Sequence, residues 1–175
     1  LANFGDPRCT LLLKNEIVYQ RDDTVGKRFR ALAERVNAML TPDARPMMLK
    51  KAFQIFEKTG YSYYLLRQQV QDGHLLAAMQ QAQTILNDIL HCLAVCNQSV
   101  IDTRKLDQVL ALPRLPENLA DTVDKISNAT DVNTLLVSCE ALLQTTRELL
   151  LNEQQDVLRH ETSFPAVLRG GYPEL

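Results

Sequence analysis

Apolar residues recur every three or four positions along most of this chain, which is the spacing of amphipathic helices. Thr24 is a suitable N-cap, and a first helix is predicted from there to the residue before Thr41-Pro42. Its apolar positions are Val25, Phe29, Leu32, Val36 and Leu40.

Two longer helices follow. Pro46 fits the first turn of one, and its stripe is Met48, Ala52, Ile55, Thr59, Ser62, Leu66 and Val70. Gly60 allows a kink or a close backbone contact within it, and Asp72-Gly73 ends it. The buried face predicted for the next helix is Leu75, Met79, Ala82, Leu86, Ile89, Leu93 and Cys96. The short link between them predicts an antiparallel hairpin.

The segment from Gln98 to Leu115 has no clear period. Pro116 and Glu117 suit the start of a short helix, with apolar positions Leu119, Val123 and Ile126. Thr130-Asp131 caps a last helix, whose stripe is Val132, Leu135, Leu136, Cys139, Leu142, Leu143, Thr146, Leu149 and Leu150. The pattern fades from Asp156.

Strand-like sequence precedes the helices. The segments 10–13 and 16–19 flank Lys14-Asn15 and predict a β-hairpin. A lone hairpin is marginally stable in water, and the chain begins with Leu1, so we expect this segment to be the remnant of a larger sheet. The predicted organisation is 1–23 as terminal strands, 24–155 as a mainly α, up-and-down bundle of about four to five helices, and 156–175 as a tail.

Composition and charge narrow the function classes. A chain of 175 residues that is 46% hydrophobic can bury one sizeable core. A formal net charge of -2 lacks the excess of Lys and Arg that binds nucleic acid. Apolar stretches are too short to span a membrane and no secretory leader is recognised, so we expect a cytoplasmic protein. Cys92 and Cys96 lie on apolar stripes, so they are predicted to be core thiols, and no metal site is predicted.

Two polar clusters are candidates for function. Asn87, Asp88 and His91 share the polar side of one predicted helix, which fits either a solvated face or a cleft in which Asp88 acts as a base.

The second cluster is Tyr61, Tyr63 and Tyr64, followed by Arg67. Three such tyrosines cannot all face one core, so we expect at least one to be exposed. It either covers the bundle surface or stacks on a ligand while Arg67 meets a phosphate or carboxylate.

The order of elements resembles that of polymerase-β-like nucleotidyltransferases. The run Glu16-Ile17-Val18-Tyr19-Gln20-Arg21-Asp22-Asp23 resembles the last strand of their catalytic domains. Three phrases are similar to their helical substrate-binding domains: Gln71-Asp72-Gly73-His74-Leu75-Leu76-Ala77-Ala78, Leu93-Ala94-Val95-Cys96-Asn97 and Leu115-Pro116-Glu117-Asn118-Leu119. The resemblance covers roughly Cys9 to Glu153. It departs from the family at Gln20, where Asp is common, and at Thr24 or Val25, where Gly is common.

The resemblance implies a two-part transferase, as in aminoglycoside and lincosamide nucleotidyltransferases of the antibiotic-resistance type. One domain binds Mg²⁺ and a nucleoside triphosphate through a Gly-Ser turn and paired Asp residues, and the helical domain presents a hydroxylated small molecule. The chain lacks those motifs, so alone it is expected to be inactive and to need a nucleotidyltransferase domain in cis or in trans. A homodimer is compatible with this arrangement.

In this interpretation Asp88 is the catalytic residue nearest the acceptor hydroxyl. The residues that bind substrate are Tyr61, Tyr64, Arg67, Asn87 and His91.

Two other interpretations stay open. One is a non-catalytic interaction module that pairs with another protein through the strand edge at 10–19. The other is a helical ribonuclease of the HEPN type, because Arg67 and His74 match its Arg-x(4-6)-His spacing.

Overall fold

The computed structural model describes residues 23–160, with side chains described for 23–155. Its six helices are α1 (Asp23–Met39), α2 (Arg45–Gln71), α3 (Leu75–Cys96), α4 (Leu106–Leu110), α5 (Leu119–Ser127) and α6 (Val132–His160). A 3₁₀ turn, Pro42–Ala44, joins α1 to α2, and there is no strand within 23–160. The prediction of a mainly α protein is confirmed. The predicted β-hairpin lies outside the described residues.

The link between α2 and α3 has the conformation predicted for it. Gly73 adopts a left-handed φ of +69°. Its N–H donates to the Val70 carbonyl at 3.2 Å, and the His74 N–H donates to the Gln69 carbonyl at 2.9 Å. This pair of hydrogen bonds satisfies carbonyls at the end of α2 that helical bonding leaves open. The chain therefore reverses within Asp72 to His74.

The helix α2 runs antiparallel to both α3 and α6. Arg45, at the start of α2, contacts the last residue of α3, Cys96, and Glu153 of α6. Further along α2, the Tyr63 hydroxyl donates to Glu140, an earlier residue of α6, at 2.6 Å. The remaining two long helices, α3 and α6, consequently run parallel to each other.

Two hydrophobic clusters hold the helices together. The larger one joins α2, α3, α5 and α6, and its fully buried side chains include Leu66, Ile85, Ile89, Leu93, Leu135 and Leu142. The smaller one brings α1 onto the bundle through Val36, which packs with Met48, Cys96 and Leu150. Burial of each large apolar side chain contributes about 1.5–3 kcal/mol, so the apolar stripes supply most of the stability.

Four details differ from the sequence-based expectations. Met79 was predicted to be buried but is 37% exposed, while Ala78 and Ile85 are buried instead. A Cβ on Gly60 would meet no atom within 4 Å, so the close contact considered for it does not occur among the described residues. The segment 98–115 contains the short helix α4, because Val109 packs into the larger cluster. Helix α6 continues to His160, beyond the predicted boundary at 155.

Among the described helices, none carries an apolar stretch long enough to traverse a lipid bilayer.

Candidate functional site

His91 interrupts the most apolar part of α3. Positions 89, 90 and 92–97 on either side of it are all buried, whereas His91 is half-buried. Its Nε2 atom is itself buried and has no hydrogen-bond partner within the described part of the chain. An unpaired polar atom in such a position costs about 1–3 kcal/mol. A buried polar atom without a partner is uncommon in folded proteins, so a structural or functional reason for His91 is expected.

Asp88 lies one helical turn before His91, on the same side of α3. Burial raises the pKa of the Asp88 carboxyl above its ordinary value of 3.8, and the neighbouring His91 and Lys58 partly oppose this shift. A carboxylate with a raised pKa accepts a proton more readily than an ordinary aspartate, which is the property of a general base.

The imidazole of His91 is shifted toward its neutral form. Burial lowers its pKa below 6.5, and the positive charges of Lys51 and Lys58 lower it further, while Asp88 acts in the opposite sense. A neutral imidazole offers one nitrogen as a hydrogen-bond donor and the other as an acceptor. At neutral pH His91 is therefore suited to binding hydroxyl groups.

Two lysines of α2 face this part of α3. Lys51 and Lys58 are about two turns apart and lie on one side of α2. The thiol of Cys92 donates to the Ala52 carbonyl at 3.3 Å, which fixes the register of the two helices. We call the surface formed by Lys51, Lys58, Asp88 and His91 the α2–α3 flank.

Asn87, the third predicted residue of α3, is exposed at the margin of the α2–α3 flank. Its Oδ1 accepts a hydrogen bond from Gln83 Nε2 at 3.4 Å. Neighbouring residues of a helix point about 100° apart, so Asn87 and Asp88 do not face the same way.

The tyrosines divide between surface and core. Tyr61 and Tyr64 are 71% and 57% exposed, which confirms that at least one tyrosine of the cluster faces outward. The Tyr64 hydroxyl accepts a hydrogen bond from Gln68 at 2.7 Å. Tyr63 packs against the larger cluster and donates to Glu140. Its pKa is raised by burial and by that carboxylate.

Arg67 is not brought together with Asp88 and His91. It is exposed and lies close enough to Tyr63 to influence its pKa. Arg67 follows Lys58 by about two and a half helical turns, so the two side chains leave α2 on opposite sides. The structure therefore groups Asp88 with His91 and separates both from Arg67.

Lys51 and Lys58 were not among the residues singled out from the sequence. Their spacing of about two turns, beside the apolar stripe of α2, is a signal that would have identified them as one surface. The spacing alone does not show that Asp88 and His91 of α3 lie opposite the two lysines.

The cysteines of α3 belong to the core. Cys92 and Cys96 are free and buried. Burial raises the pKa of Cys96 to about 11 and raises that of Cys92 as well. Because the thiolate is the form that binds metals and attacks substrates, these side chains are chemically inert.

No group of three or more His, Cys, Asp or Glu side chains in the described part of the chain could hold a metal ion. Both His74 and Arg67, the pair considered for a ribonuclease, are surface residues, and His74 lies in the turn between α2 and α3.

The chain was compared with protein-family models, curated proteins and solved structures, and none of them matches it.

Proposed function

We propose that residues 24–155 form the substrate-binding domain of a small-molecule nucleotidyltransferase, in which the α2–α3 flank binds a hydroxylated acceptor. The observation that carries the proposal is the pairing of a half-buried carboxylate, Asp88, with a half-buried imidazole whose Nε2 has no hydrogen-bond partner among the described residues. The order of helices and the resemblance described above support the same assignment.

In this proposal Asp88 takes the proton of the acceptor hydroxyl. The hydroxyl oxygen attacks the α-phosphorus of the nucleoside triphosphate, a new P–O bond forms, and pyrophosphate leaves. His91 orients the acceptor by a hydrogen bond from Nε2 to a second hydroxyl. The triphosphate and Mg²⁺ are assigned to a nucleotidyltransferase domain in cis or in trans, as the resemblance implies.

The remaining predicted residues differ in how well they fit this proposal. Asn87 lies at the margin of the α2–α3 flank, where it can contact an extended acceptor. Arg67 leaves α2 on the opposite side and has no role in it. Tyr61 and Tyr64 are exposed, and the proposal does not depend on them.

The proposal is tested by nucleotide transfer in the complete gene product. We expect transfer from α-³²P-labelled nucleoside triphosphates, in the presence of Mg²⁺, to a member of a panel of hydroxylated acceptors. Asp88→Asn should lower turnover about 10²–10⁴-fold, the usual contribution of a general base. Asp121→Asn, an exposed aspartate of α5, is the matched control and should have no effect.

Unchanged turnover in Asp88→Asn would show that the assignment of the base is wrong. Failure of the complete gene product to transfer any nucleotide, together with an upstream frame lacking Gly-Ser and Asp-x-Asp, would favour the interaction module. RNA cleavage that is lost in His74→Ala would favour the ribonuclease.

A further inference from the structure

The side of α2 that faces away from the bundle carries a regular line of exposed residues. They follow one another at alternating intervals of four and three positions, the 3.5-residue period of a helix-pairing seam. The line extends for about 32 Å along the helix. We call it the tyrosine face of α2, and its members are Lys50, Gln54, Glu57, Tyr61, Tyr64, Gln68 and Gln71.

The middle of the tyrosine face differs from an ordinary solvated surface. Tyr61 and Tyr64 are 71% and 57% exposed. Beside them lies Gly60, which is exposed in the interior of α2, where glycine is the least favourable residue after proline. A Cβ on Gly60 would meet no atom within 4 Å, so packing among the described residues does not require glycine there. A glycine in this position allows a second backbone to approach closely, and tyrosine is enriched at protein interfaces.

We propose that the tyrosine face is the interface of a homodimer, in which α2 of one protomer packs antiparallel to α2 of its partner. A two-fold interface uses the same patch on both subunits, so that patch must be complementary to itself. The midpoint of the tyrosine face, counted from Lys50 to Gln71, falls between Gly60 and Tyr61. A two-fold axis at this midpoint places the Tyr61 ring of each protomer against Gly60 of the partner.

The charges along α2 fit a second copy in the antiparallel orientation. With the axis at the midpoint, Lys50 lies level with the end of the partner's helix, beside Asp72 of the partner. Glu57 lies within one helical turn of Arg67 of the partner. All four side chains are exposed, and none has an ion-pair partner within the described part of the chain. A parallel pair would instead set each charge against its own copy, and such like-charge contacts oppose association.

The dimer proposal is independent of the nucleotidyltransferase assignment. Asp88 and His91 lie on α3 and are not members of the tyrosine face. The dimer gives a role to Tyr61 and Tyr64, which the proposed function leaves without one. Dimerisation without nucleotide transfer would therefore contradict only the enzymatic role, and transfer by a monomer would contradict only the dimer.

The test is sedimentation equilibrium of the complete gene product over a range of concentrations. Because the interface is one face of a single helix, we expect a weak, reversible dimer with a dissociation constant of about 10–100 µM. Tyr61→Ala should weaken it about tenfold or more, since tyrosines at the centre of an interface contribute most to binding. The matched control is Leu76→Ala on α3, which is 72% exposed and should have no effect.

Gly60→Gln separates association from folding. Glutamine favours the helix more than glycine does, and the space around Gly60 is open, so the monomer should melt at the same temperature or higher. The added side chain should nevertheless weaken the dimer about tenfold or more, because it holds the two backbones apart.

Charge reversal tests the orientation. Lys50→Glu and Asp72→Lys should each weaken the dimer, while the double variant, which restores opposite charges across the two-fold axis, should recover most of the affinity. Double-variant affinity no better than that of the single variants would overturn the antiparallel arrangement.

Two further results overturn the proposal. One is a dimer that Tyr61→Ala and Gly60→Gln do not weaken. The other is a protein that stays monomeric at about 1 mM. In that monomer, chemical modification of Tyr61 followed by peptide mapping identifies what occupies the tyrosine face instead. Protection would place another part of the same chain on it, and full reactivity would leave it to solvent or to a different protein.

Discussion

Two clusters of charged side chains are partly withdrawn from solvent in this protein, and they differ in how they are satisfied. At one end of the bundle, Arg45 donates to the Glu153 carboxylate and to the Cys96 carbonyl. Arg114 Nε lies 3.1 Å from the other oxygen of Glu153. In the α2–α3 flank, by contrast, the Nε2 of His91 has no partner among the described residues.

We infer from this difference a structural role for the Arg45–Glu153 network, and it accords with the functional role proposed for the α2–α3 flank. The Arg45–Glu153 network ties together the start of α2, the end of α3 and the last part of α6, and the side chains of Arg45 and Glu153 are each only 14% exposed. The α2–α3 flank holds Asp88 and His91 with pKa values displaced toward their neutral forms. We therefore expect changes in the network to alter stability and changes in the flank to alter function.

The largest effect on stability is expected from Glu153→Ala. It leaves Arg45 without its carboxylate in a site that is mostly buried, and the loss of one partner of a buried ion pair costs about 3 kcal/mol. Chemical denaturation measures the free energy of unfolding. The control is Arg104→Ala, which removes an ion pair in which Arg104 is 73% exposed and should cause no measurable change. Equal, small effects of the two variants would show that the network is not a stabilising element.

A smaller effect is expected from Gly60→Ala, two residues after Lys58. Gly60 lies inside α2, and a Cβ there meets no atom within 4 Å, so alanine should raise the free energy of unfolding by up to about 1 kcal/mol. Gly73→Ala is the matched comparison and should have the opposite effect. The φ angle at Gly73 is +69°, and a residue with a side chain in that conformation lowers the free energy of unfolding by about 1–2 kcal/mol. Thermal melts of both variants measure these shifts. A loss of stability in Gly60→Ala would contradict the open surroundings of Gly60 in α2.

The smallest effect concerns pH. Because the folded-state pKa of His91 is below 6.5, the unfolded chain takes up a proton near that pH while the folded protein does not. Stability should therefore fall as the pH is lowered from about 7 to 5. Asp88 opposes this trend, since its raised pKa lets the folded state take up a proton first.

The His91→Gln variant removes the His91 contribution and should flatten the fall. His74→Gln, at an exposed position, should keep it. Denaturation curves at three pH values distinguish the two variants, and an unchanged slope in His91→Gln contradicts the assignment. The charged groups that face His91 are Lys51 and Lys58 from α2 and Asp88 from α3.

Local sequence patterns predicted most of the helices. The apolar stripes of α2, α3 and α6 are long and regular, and glycine at position 73 favours the left-handed conformation of the turn. These elements can therefore be predicted without knowledge of tertiary contacts. The proximity of Asp88 and His91 likewise follows from their spacing on one helix. Helix α4 was missed because its five residues are too few to show a helical period, and its Val109 is placed by packing.

The pattern of apolar and polar residues does not predict contacts between residues that are distant in sequence. Arg45 and Glu153 meet only because α2 and α6 pack side by side. Gln98 is a second case: it holds a φ of +49°, where glycine is the usual residue. Its side-chain amide donates to the carbonyls of Met39 and Thr41 at 3.0 and 2.7 Å. Those two bonds, to the last residue of α1 and to the turn after it, explain a glutamine at this position, and the local sequence does not predict them.

The central claim is that the α2–α3 flank serves function and the Arg45–Glu153 network serves stability. Its most direct test measures melting temperature and nucleotide transfer on the same preparations of Asp88→Asn and Glu153→Gln in the complete gene product. The account predicts that Asp88→Asn loses transfer at least 100-fold with an unchanged or higher melting temperature, while Glu153→Gln melts earlier and keeps its turnover well below its melting temperature. Parallel losses of stability and transfer in both variants would contradict it.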